Sequence, residues 1–437
     1  MTIAFREHPL RRQVVGEMHL RRFPSFSIPA QIFQLFRLVE PEQREAEIAA
    51  VDRDGVTAPA GARHREQRWS AEVRTAWERH SEASTVTVAL TGSSLGAAPW
   101  TRPDKGPAAA AIDWAESLPG GAVRASQLFI VADDCAAEPV LAAAEFSASH
   151  LVSCHIAGGA RLWSDFRIHA DGYGRLVVAA NGMATADLIR VVQRVQELGN
   201  YRNLALLGLP AAQAAWGDVD RIERALAASG RSLQGRDRTD DELLADLAQQ
   251  AADLLSLAAA CDYRMKATQA YALIVADRLA ELRATPIPGF QSLDEFTIRR
   301  FDPAMRTCAA LTERVALLNQ RAAQLTALLR TRIETHIENQ NARLLASMDR
   351  SARLQLRLQH LVEGLSAVAI SYYLLGLVAY PVKAAEKWRP GFSATSLLGI
   401  FAPAILLLVF LTLRRMRHRL MAGQASMSDD RRHSGDT

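Results

Sequence analysis

Three residues that could carry out acid-base or anion-binding chemistry alternate along one short segment of the chain. Asp165, Arg167 and His169 are spaced two residues apart, so on a β-strand their side chains would share one face. A carboxylate, a guanidinium and an imidazole on one face could bind an anion or move a proton. The alternative is a solvated, salt-bridged strand face leading into the turn at Asp171 and Gly172, and we favour this alternative.

Two glutamates far along the chain form a second candidate site. Glu334 and Glu338 are four residues apart in a helical sequence, which places both on one helix face. Paired carboxylates suit a divalent cation, and in an oligomer such a pair could hold the cation across the symmetry axis. An exposed polar helix face explains the same spacing and is the commoner case.

Two apolar runs, residues 365–382 and 394–413, indicate a membrane protein. Each approaches the roughly 20 residues that a helix needs to cross a bilayer, and neither contains a charged side chain. The sequence therefore predicts a transmembrane hairpin of two helices in a bacterial inner membrane. Tyr372 and Tyr373 lie within the first run, where a hydroxyl group needs a partner, and this indicates helix packing or a water-filled pore.

The basic residues around these runs predict that both termini face the cytosol. Arg350, Arg353 and Arg357 precede the first run, and four further arginines follow the second within residues 414–419. Three basic residues in the connecting loop work against this orientation. The lipid bilayer is the first partner that the sequence predicts.

The first part of the chain predicts a domain of mixed strands and helices. The predicted strands cover residues 85–90, 127–131, 150–156, 161–169 and 173–180. The pair Asp171 and Gly172 between the last two is a strong hairpin signal. The polar segment 61–81 predicts a helix. We expect residues 1–183 to form a cytosolic α/β or α+β domain.

From Thr185 onward the sequence predicts helices alone. They cover residues near 185–208, 211–229, 239–283 and from 303 into the membrane. Asp302 followed by Pro303 predicts the start of the last helix. We expect residues 184–363 to form a helical bundle with a long stalk helix, residues 364–413 the hairpin, and residues 414–437 a basic cytosolic tail.

The stalk helix carries an apolar seam from Leu311 to Leu329. Apolar residues there follow at steps of 4, 3, 4, 3 and 4, the spacing of a coiled coil or a helical bundle. Either the helix of 239–283 or a second subunit could cover this seam. A long rod of this kind needs partners to stay ordered, so we expect a homo-oligomer.

Composition argues against several classes of function. The chain has 51 basic and 47 acidic residues, and because the two signs are interleaved, no nucleic-acid partner is expected. The four cysteines lack zinc-site spacing. The common nucleotide, protease and hydrolase motifs are missing. No cofactor is identified and an enzyme is disfavoured, although a membrane-tethered enzyme with a polar pocket near residues 165–175 remains an alternative.

Six long segments of the chain have distinctive sequences: EMHLRRFPS from Glu17, SDFRIHADGYGR from Ser164, VQELGNYRNLALLGLP from Val195, YRMKATQAYALIVADRLAELR from Tyr263, RRFDPAMRTC from Arg299, and a longer block from Leu328. Through these segments the chain resembles a bacterial family of membrane-anchored proteins that share a domain of unknown function. The resemblance implies membrane attachment and one shared fold. It carries over no catalytic residue.

The order of the parts also resembles the architecture of CorA-type magnesium channels. That resemblance implies an oligomeric channel for a divalent cation. Those channels carry Gly-Met-Asn after the first span, whereas this chain reads Tyr380, Pro381, Val382 and Lys383 there. The sequence therefore favours a membrane-anchored, oligomeric scaffold or binding protein with a cytosolic protein partner, and a CorA-like cation channel is the alternative.

Overall fold

The structure is a computed structural model in two compact units. It describes residues 5, 7–11, 14–15, 23–52, 63–96, 98–235, 238–386, 393, 395–396, 398–412 and 415. The first unit is Met1–Leu329 and the second is Arg330–Thr437. The predicted residues Asp165, Arg167 and His169 belong to the first unit.

A mixed β-sheet forms the centre of the first unit. Its strands within the described residues are β1 (Ala30–Leu38), β2 (His64–Arg68), β3 (Val73–Arg79), β4 (Ala83–Thr91), β5 (Gly121–Val131), β6 (Val152–Ile156), β7 (Ala160–Ile168), β8 (Gly174–Ala179) and β9 (Thr285–Pro286). They lie in the order β2-β3-β4-β1-β5-β8-β7-β6-β9. Strands β5 and β8 are parallel, and the other neighbours are antiparallel.

Helices cover both faces of this sheet. In chain order, the helices named for the described residues are α1 (Arg44–Val51), α2 (Gly106–Ser117), α3 (Asp134–Ala142), α4 (Thr185–Leu206), α5 (Gly208–Gln234), α6 (Asp240–Leu282), α7 (Leu293–Glu386) and α8 (Leu398–Thr412). Helix α7 continues from the first unit into the second, and α8 belongs to the second unit. Helices α2 and α3 pack on one face, and α4 and α6 pack on the other. The α/β prediction for this part of the chain is therefore confirmed at the level of a mixed-sheet domain.

Strand β1 shows why a central strand of this sheet carries apolar residues on both of its faces. Ile32 and Phe36 point into the core shared with α4, whereas Phe33 and Leu35 point into the core shared with α2. Because successive side chains of a strand point to opposite faces, a strand between two helical layers must be apolar on both.

The long helices pack on one another beyond the sheet. Helix α6 begins with a capping box between Thr239 and Glu242. On α7 the predicted seam is buried, with Leu318 fully inaccessible, and Arg314 donates to Glu223 of α5 at 3.0 Å. The seam therefore has a partner within the same chain.

Two predictions about secondary structure are wrong. The segment 61–81, expected to be a helix, contains β2 and β3, which pair as an antiparallel edge hairpin; residues 61 and 62 lie outside the described residues. Helix α7 begins at Leu293 and not near 303. Ser292 and Glu295 bond reciprocally to each other's backbone N–H at 3.3 and 3.2 Å, and this capping box sets the start.

Among the described residues, one helix is long and apolar enough to cross a membrane. Helix α7 reaches a mean hydropathy of 1.7 in its most apolar window, which supports the first predicted span. The second predicted span, 394–413, is described as the shorter helix Leu398–Thr412, below the roughly 20 residues required. Of the predicted basic tail, 414–437, only Arg415 lies within the described residues.

Candidate anion-binding site

A bulge in β7 separates Arg167 from Asp165 and His169, the two residues with which the alternation pattern grouped it. The pairing of β7 with β8 shifts register between Ser164 and Ile168. Phe166 has a φ of 53°, in the left-handed region that side chains other than glycine rarely adopt. Because a bulge re-aims the residues that follow it, the prediction that Asp165, Arg167 and His169 share a face is wrong.

Asp165 and His169 remain together as a structural pair. The Asp165 Oδ1 lies 3.3 Å from His169 Nε2 and accepts the Arg167 backbone N–H at 3.1 Å. The Oδ2 accepts the backbone N–H of Ser147 at 3.3 Å. The buried carboxylate therefore holds the bulge and the neighbouring loop, and the Arg167 side chain is not part of this group.

Arg167 instead lines a cavity of about 200 Å³ between α4 and the ends of β5, β7 and β8, which we call the arginine cavity. Its polar lining residues are Arg124, Ser126, Ser164, Arg167, Arg202 and Asn203. Its apolar side chains include Val123, Phe166, Ile168 and Leu176. Among the described residues that line it, none is Asp, Glu, His, Cys or Lys. The cavity therefore carries positive charge without a carboxylate in its wall.

Arg124 is fixed by amide side chains from both layers. Its guanidinium donates to Gln34 Oε1 at 3.3 Å, to Asn200 Oδ1 at 2.9 Å and to Gln196 Oε1 at 2.7 Å. It lies against Gly199, where an added Cβ would stand 2.6 Å from Arg124 Nε. Burial, and then repulsion from Arg202, lower the pKa of the Arg124 guanidinium to about 9.

Arg202 on α4 has aromatic neighbours in place of hydrogen-bonding ones. Its guanidinium carbon lies 4.8 Å from the centre of the Phe166 ring and 5.9 Å from that of Phe296. Within the described part of the chain, no side chain or backbone group forms a hydrogen bond or ion pair with it. Burial lowers its pKa to about 10, so it is charged at neutral pH. A desolvated charge without a partner is unfavourable, and an anion would relieve it.

A smaller cavity lies on the other side of the amides that hold Arg124. It has a volume of about 40 Å³, and its lining includes Gln34, Gln196, Asn200, His80 and Glu197. That volume suits an ordered water rather than an organic ligand. The amides therefore line the smaller cavity while they hold Arg124, and the arginine cavity is the one with room for a ligand.

The other predicted site residues lie in the second unit. Glu334 accepts a hydrogen bond from Arg330 at 3.1 Å, and both side chains are exposed. Glu338 is also exposed. Across the described ranges, no group of three or more His, Cys, Asp and Glu residues is arranged to hold a metal ion. Glu334 and Glu338 are therefore residues of an exposed helix face in this unit.

Tyr372 and Tyr373 are exposed on the apolar part of α7. Their exposed fractions are 76% and 70%, and the two rings meet edge to face at 5.9 Å. The neighbouring Ser371 is buried and donates to the Ala367 carbonyl at 2.7 Å. The face that carries Ser371, and not the tyrosines, is the covered face of this helix.

Apart from Arg167, the polar residues that build the arginine cavity were not singled out from the sequence, although α4 carried a signal. Gln196, Gly199, Asn200 and Asn203 fall on one helix face at steps of 3, 1 and 3. A polar stripe on the buried side of an amphipathic helix indicates a polar site. Arg124 gave a weaker signal, as a single charge within a strand.

A mixed-sheet domain with a cationic cavity, followed by a helix able to span a membrane, describes the class of this protein. A family model described as a protein of unknown function (DUF3422) matches residues 6–420, and the chain belongs to that family. No curated protein and no solved structure matches the chain, CorA-type channels included.

Replacing Gly199 by alanine is expected to displace Arg124. The new Cβ would overlap a guanidinium that three hydrogen bonds hold in place, so we expect the free energy of unfolding to fall by about 1–3 kcal/mol. Thermal unfolding followed by tryptophan fluorescence measures this. Gly217→Ala on α5 is the control, because no atom lies within 4 Å of its Cβ position; it should stabilise by about 0.5–1 kcal/mol. Equal effects of the two substitutions would contradict this account of Arg124.

Replacing Arg202 by methionine is expected to stabilise the protein without ligand. Methionine keeps an apolar stem against Phe166 and removes the charge, so the free energy of unfolding should rise by about 1 kcal/mol at neutral pH. A base whose pKa is lowered on folding destabilises the folded state while charged, so the gain should disappear as the pH rises above about 10. Arg190→Met, an exposed residue of the same helix paired with Asp187, should change stability little. A clear loss of stability in Arg202→Met would show that Arg202 is adequately neutralised.

Proposed function

We propose that this protein is a membrane-anchored binding module whose mixed-sheet domain holds a small anion in the arginine cavity. The observation that carries the proposal is the pair Arg124 and Arg202, which line the cavity without a carboxylate among its described residues. An oxyanion bound there supplies the missing negative charge and accepts charge-assisted hydrogen bonds. This charge is opposite to what a divalent cation needs, so the cavity lends no support to the cation-channel alternative.

The lining of the cavity favours binding over catalysis. Its two serines are already engaged, since Ser164 Oγ donates to the Arg175 carbonyl at 2.8 Å and Ser126 Oγ donates to Gln196 Oε1 at 3.2 Å. A serine nucleophile requires an adjacent general base, and the described lining residues contain none. A binding role therefore fits these side chains better than the enzyme alternative.

The membrane part of the proposal is a hairpin in a bacterial inner membrane with both termini in the cytosol. The covered positions along α7 support it: Ala367, Ser371, Leu375 and Val378 are buried or half-buried among exposed neighbours. On α8 the corresponding positions are 398, 402, 405 and 409. Both sets follow helical spacing, as expected if the two helices pack face to face.

We further propose that a second copy of the chain pairs with α7 ahead of its membrane segment. Leu344, Leu345, Met348, Leu358 and Leu361 are exposed there, and a solvated helix with so many exposed apolar residues is expected to associate. A homo-oligomer would cover them. A cytosolic protein partner, expected for a scaffold, belongs to the same proposal.

Phosphate binding by the full chain tests the proposed function. Sodium phosphate titrated into the detergent-solubilised protein should bind with a Kd of about 1 mM or tighter and weaken as ionic strength rises. Isothermal titration calorimetry measures this. Arg202→Met should lose at least about tenfold in affinity, or roughly 1.4 kcal/mol, while Arg190→Met should bind as the wild type does. Absence of phosphate binding in the wild type, or equal binding in Arg202→Met, would refute the proposal.

Thiol labelling of intact cells tests the hairpin. A membrane-impermeant maleimide should label Ser393→Cys, which lies between the two apolar helices, and should not label Arg415→Cys. The wild type is the control, because Cys135 is exposed in the first unit and should stay unlabelled until the cells are lysed. Labelling of Arg415→Cys in intact cells would indicate a single span. Labelling of the wild type in intact cells would indicate that the first unit faces the outside and that the proposed orientation is wrong.

A further inference from the structure

We propose that the ligand of the arginine cavity is a phosphate monoester with a small, uncharged organic group. This inference rests on the proposed anion-binding function and narrows the class of anion. It is argued from the free donors, the charge and the room in the cavity.

The arginine N–H groups without a partner among the described residues outnumber the hydrogen bonds that one carboxylate can accept. A guanidinium has five N–H groups. Arg124 directs three of them to Gln34, Gln196 and Asn200, which leaves two. Arg202 directs none to another described residue and therefore keeps all five. A carboxylate has two oxygens and accepts one bidentate guanidinium, whereas a terminal phosphate group has three oxygens and can accept a guanidinium on each of two edges.

The charge of the cavity calls for a dianion. Arg124, Arg167 and Arg202 all line it, with no acidic residue among the described lining. Repulsion from Arg202 contributes to the lowered pKa of Arg124, so the two guanidinium groups interact unfavourably when the cavity is free of anions. A carboxylate or a phosphodiester carries one negative charge and neutralises one arginine. A phosphate monoester carries nearly two negative charges near pH 7 and neutralises the pair.

The size and walls of the cavity indicate more than a bare phosphate. A volume of about 200 Å³ holds several water molecules, which is more room than a five-atom phosphate group fills. The remaining wall includes Val123, Phe166, Ile168 and Leu176, and Ile168 is 82% exposed at the rim. Apolar walls on one side and arginines on the other fit an organic group joined to phosphate through one ester bond.

Three small anionic probes separate this inference from the broader function. Ethyl phosphate, diethyl phosphate and propionate are titrated by calorimetry into the detergent-solubilised full chain near pH 8, where the monoester is a dianion because its second pKa is about 6. Ethyl phosphate should bind at least about tenfold tighter than the other two, a difference of roughly 1.4 kcal/mol. Its advantage should shrink near pH 5, where it becomes a monoanion, while the affinity for diethyl phosphate should not change.

A conservative variant tests the role of the guanidinium fork. Arg202→Lys keeps the positive charge but cannot form a bidentate contact, so it should lose most of the preference for ethyl phosphate while still binding anions weakly. Arg190→Lys on the same helix should match the wild type. Equal affinity for the three probes, or an unchanged preference in Arg202→Lys, would overturn the monoester assignment and leave the anion site standing. Failure of every probe to bind would overturn both.

Discussion

The contact of Arg124 with helix α4 fixes how the helical layer lies on the sheet. The guanidinium extends from β5 and bonds to Gln34 of β1 and to Gln196 and Asn200 of α4, so a single side chain joins two strands and a helix. Gly199 allows this approach, because any larger residue would occupy the space of the guanidinium. The three hydrogen bonds fix the orientation of the guanidinium but do not neutralise its charge, because all three acceptors are uncharged amides. The interface between sheet and helix therefore contains a fixed positive charge that opens onto a cavity.

Two arginines of helix α6, which packs on the same face of the sheet, are neutralised in a different way from Arg124 and Arg202. Arg264 of α6 forms two hydrogen bonds with the Glu82 carboxylate, at 3.1 and 2.7 Å, and Arg278 is paired with Glu197. Each of these partly buried guanidinium groups is paired with a carboxylate, as expected from the cost of desolvating a charge. Arg124 and Arg202 are desolvated to the point of lowered pKa values and have aromatic or amide neighbours instead. Perturbed groups of this kind concentrate at functional sites, and the contrast within one domain gives that correlation a physical reason here.

Local patterns in the sequence predict the elements of this protein much better than its site. Strand β4 and helix α6 follow from the alternation and the helical spacing of their apolar residues, although β4 is buried on both faces. The hairpin between β7 and β8 follows from Asp171 and Gly172, and Gly172 has the positive φ that the turn requires. The edge strand β2 within 61–81 was missed because its polar side chains are only partly buried and impose no alternation. The site depends on residues distant in sequence, Arg124 and Arg202, and on a bulge at Phe166 that breaks the alternation behind the original grouping.

The amides around Arg124 hold its guanidinium in position without neutralising it, whereas a carboxylate would do both. Gln34, Gln196 and Asn200 have nearly the shapes of Glu, Glu and Asp, and a carboxylate in any of the three positions could accept the same hydrogen bond. It would also neutralise the guanidinium, raise its pKa and remove the charge available to a ligand. An amide oxygen holds the arginine in position and contributes no net charge. The choice of Gln over Glu at position 196 therefore costs stability in the absence of a ligand, since a desolvated charge stays uncompensated, and it leaves both Arg124 and Arg202 free to be neutralised by one anion. This difference of one functional group distinguishes the proposed anion site from a buried salt bridge.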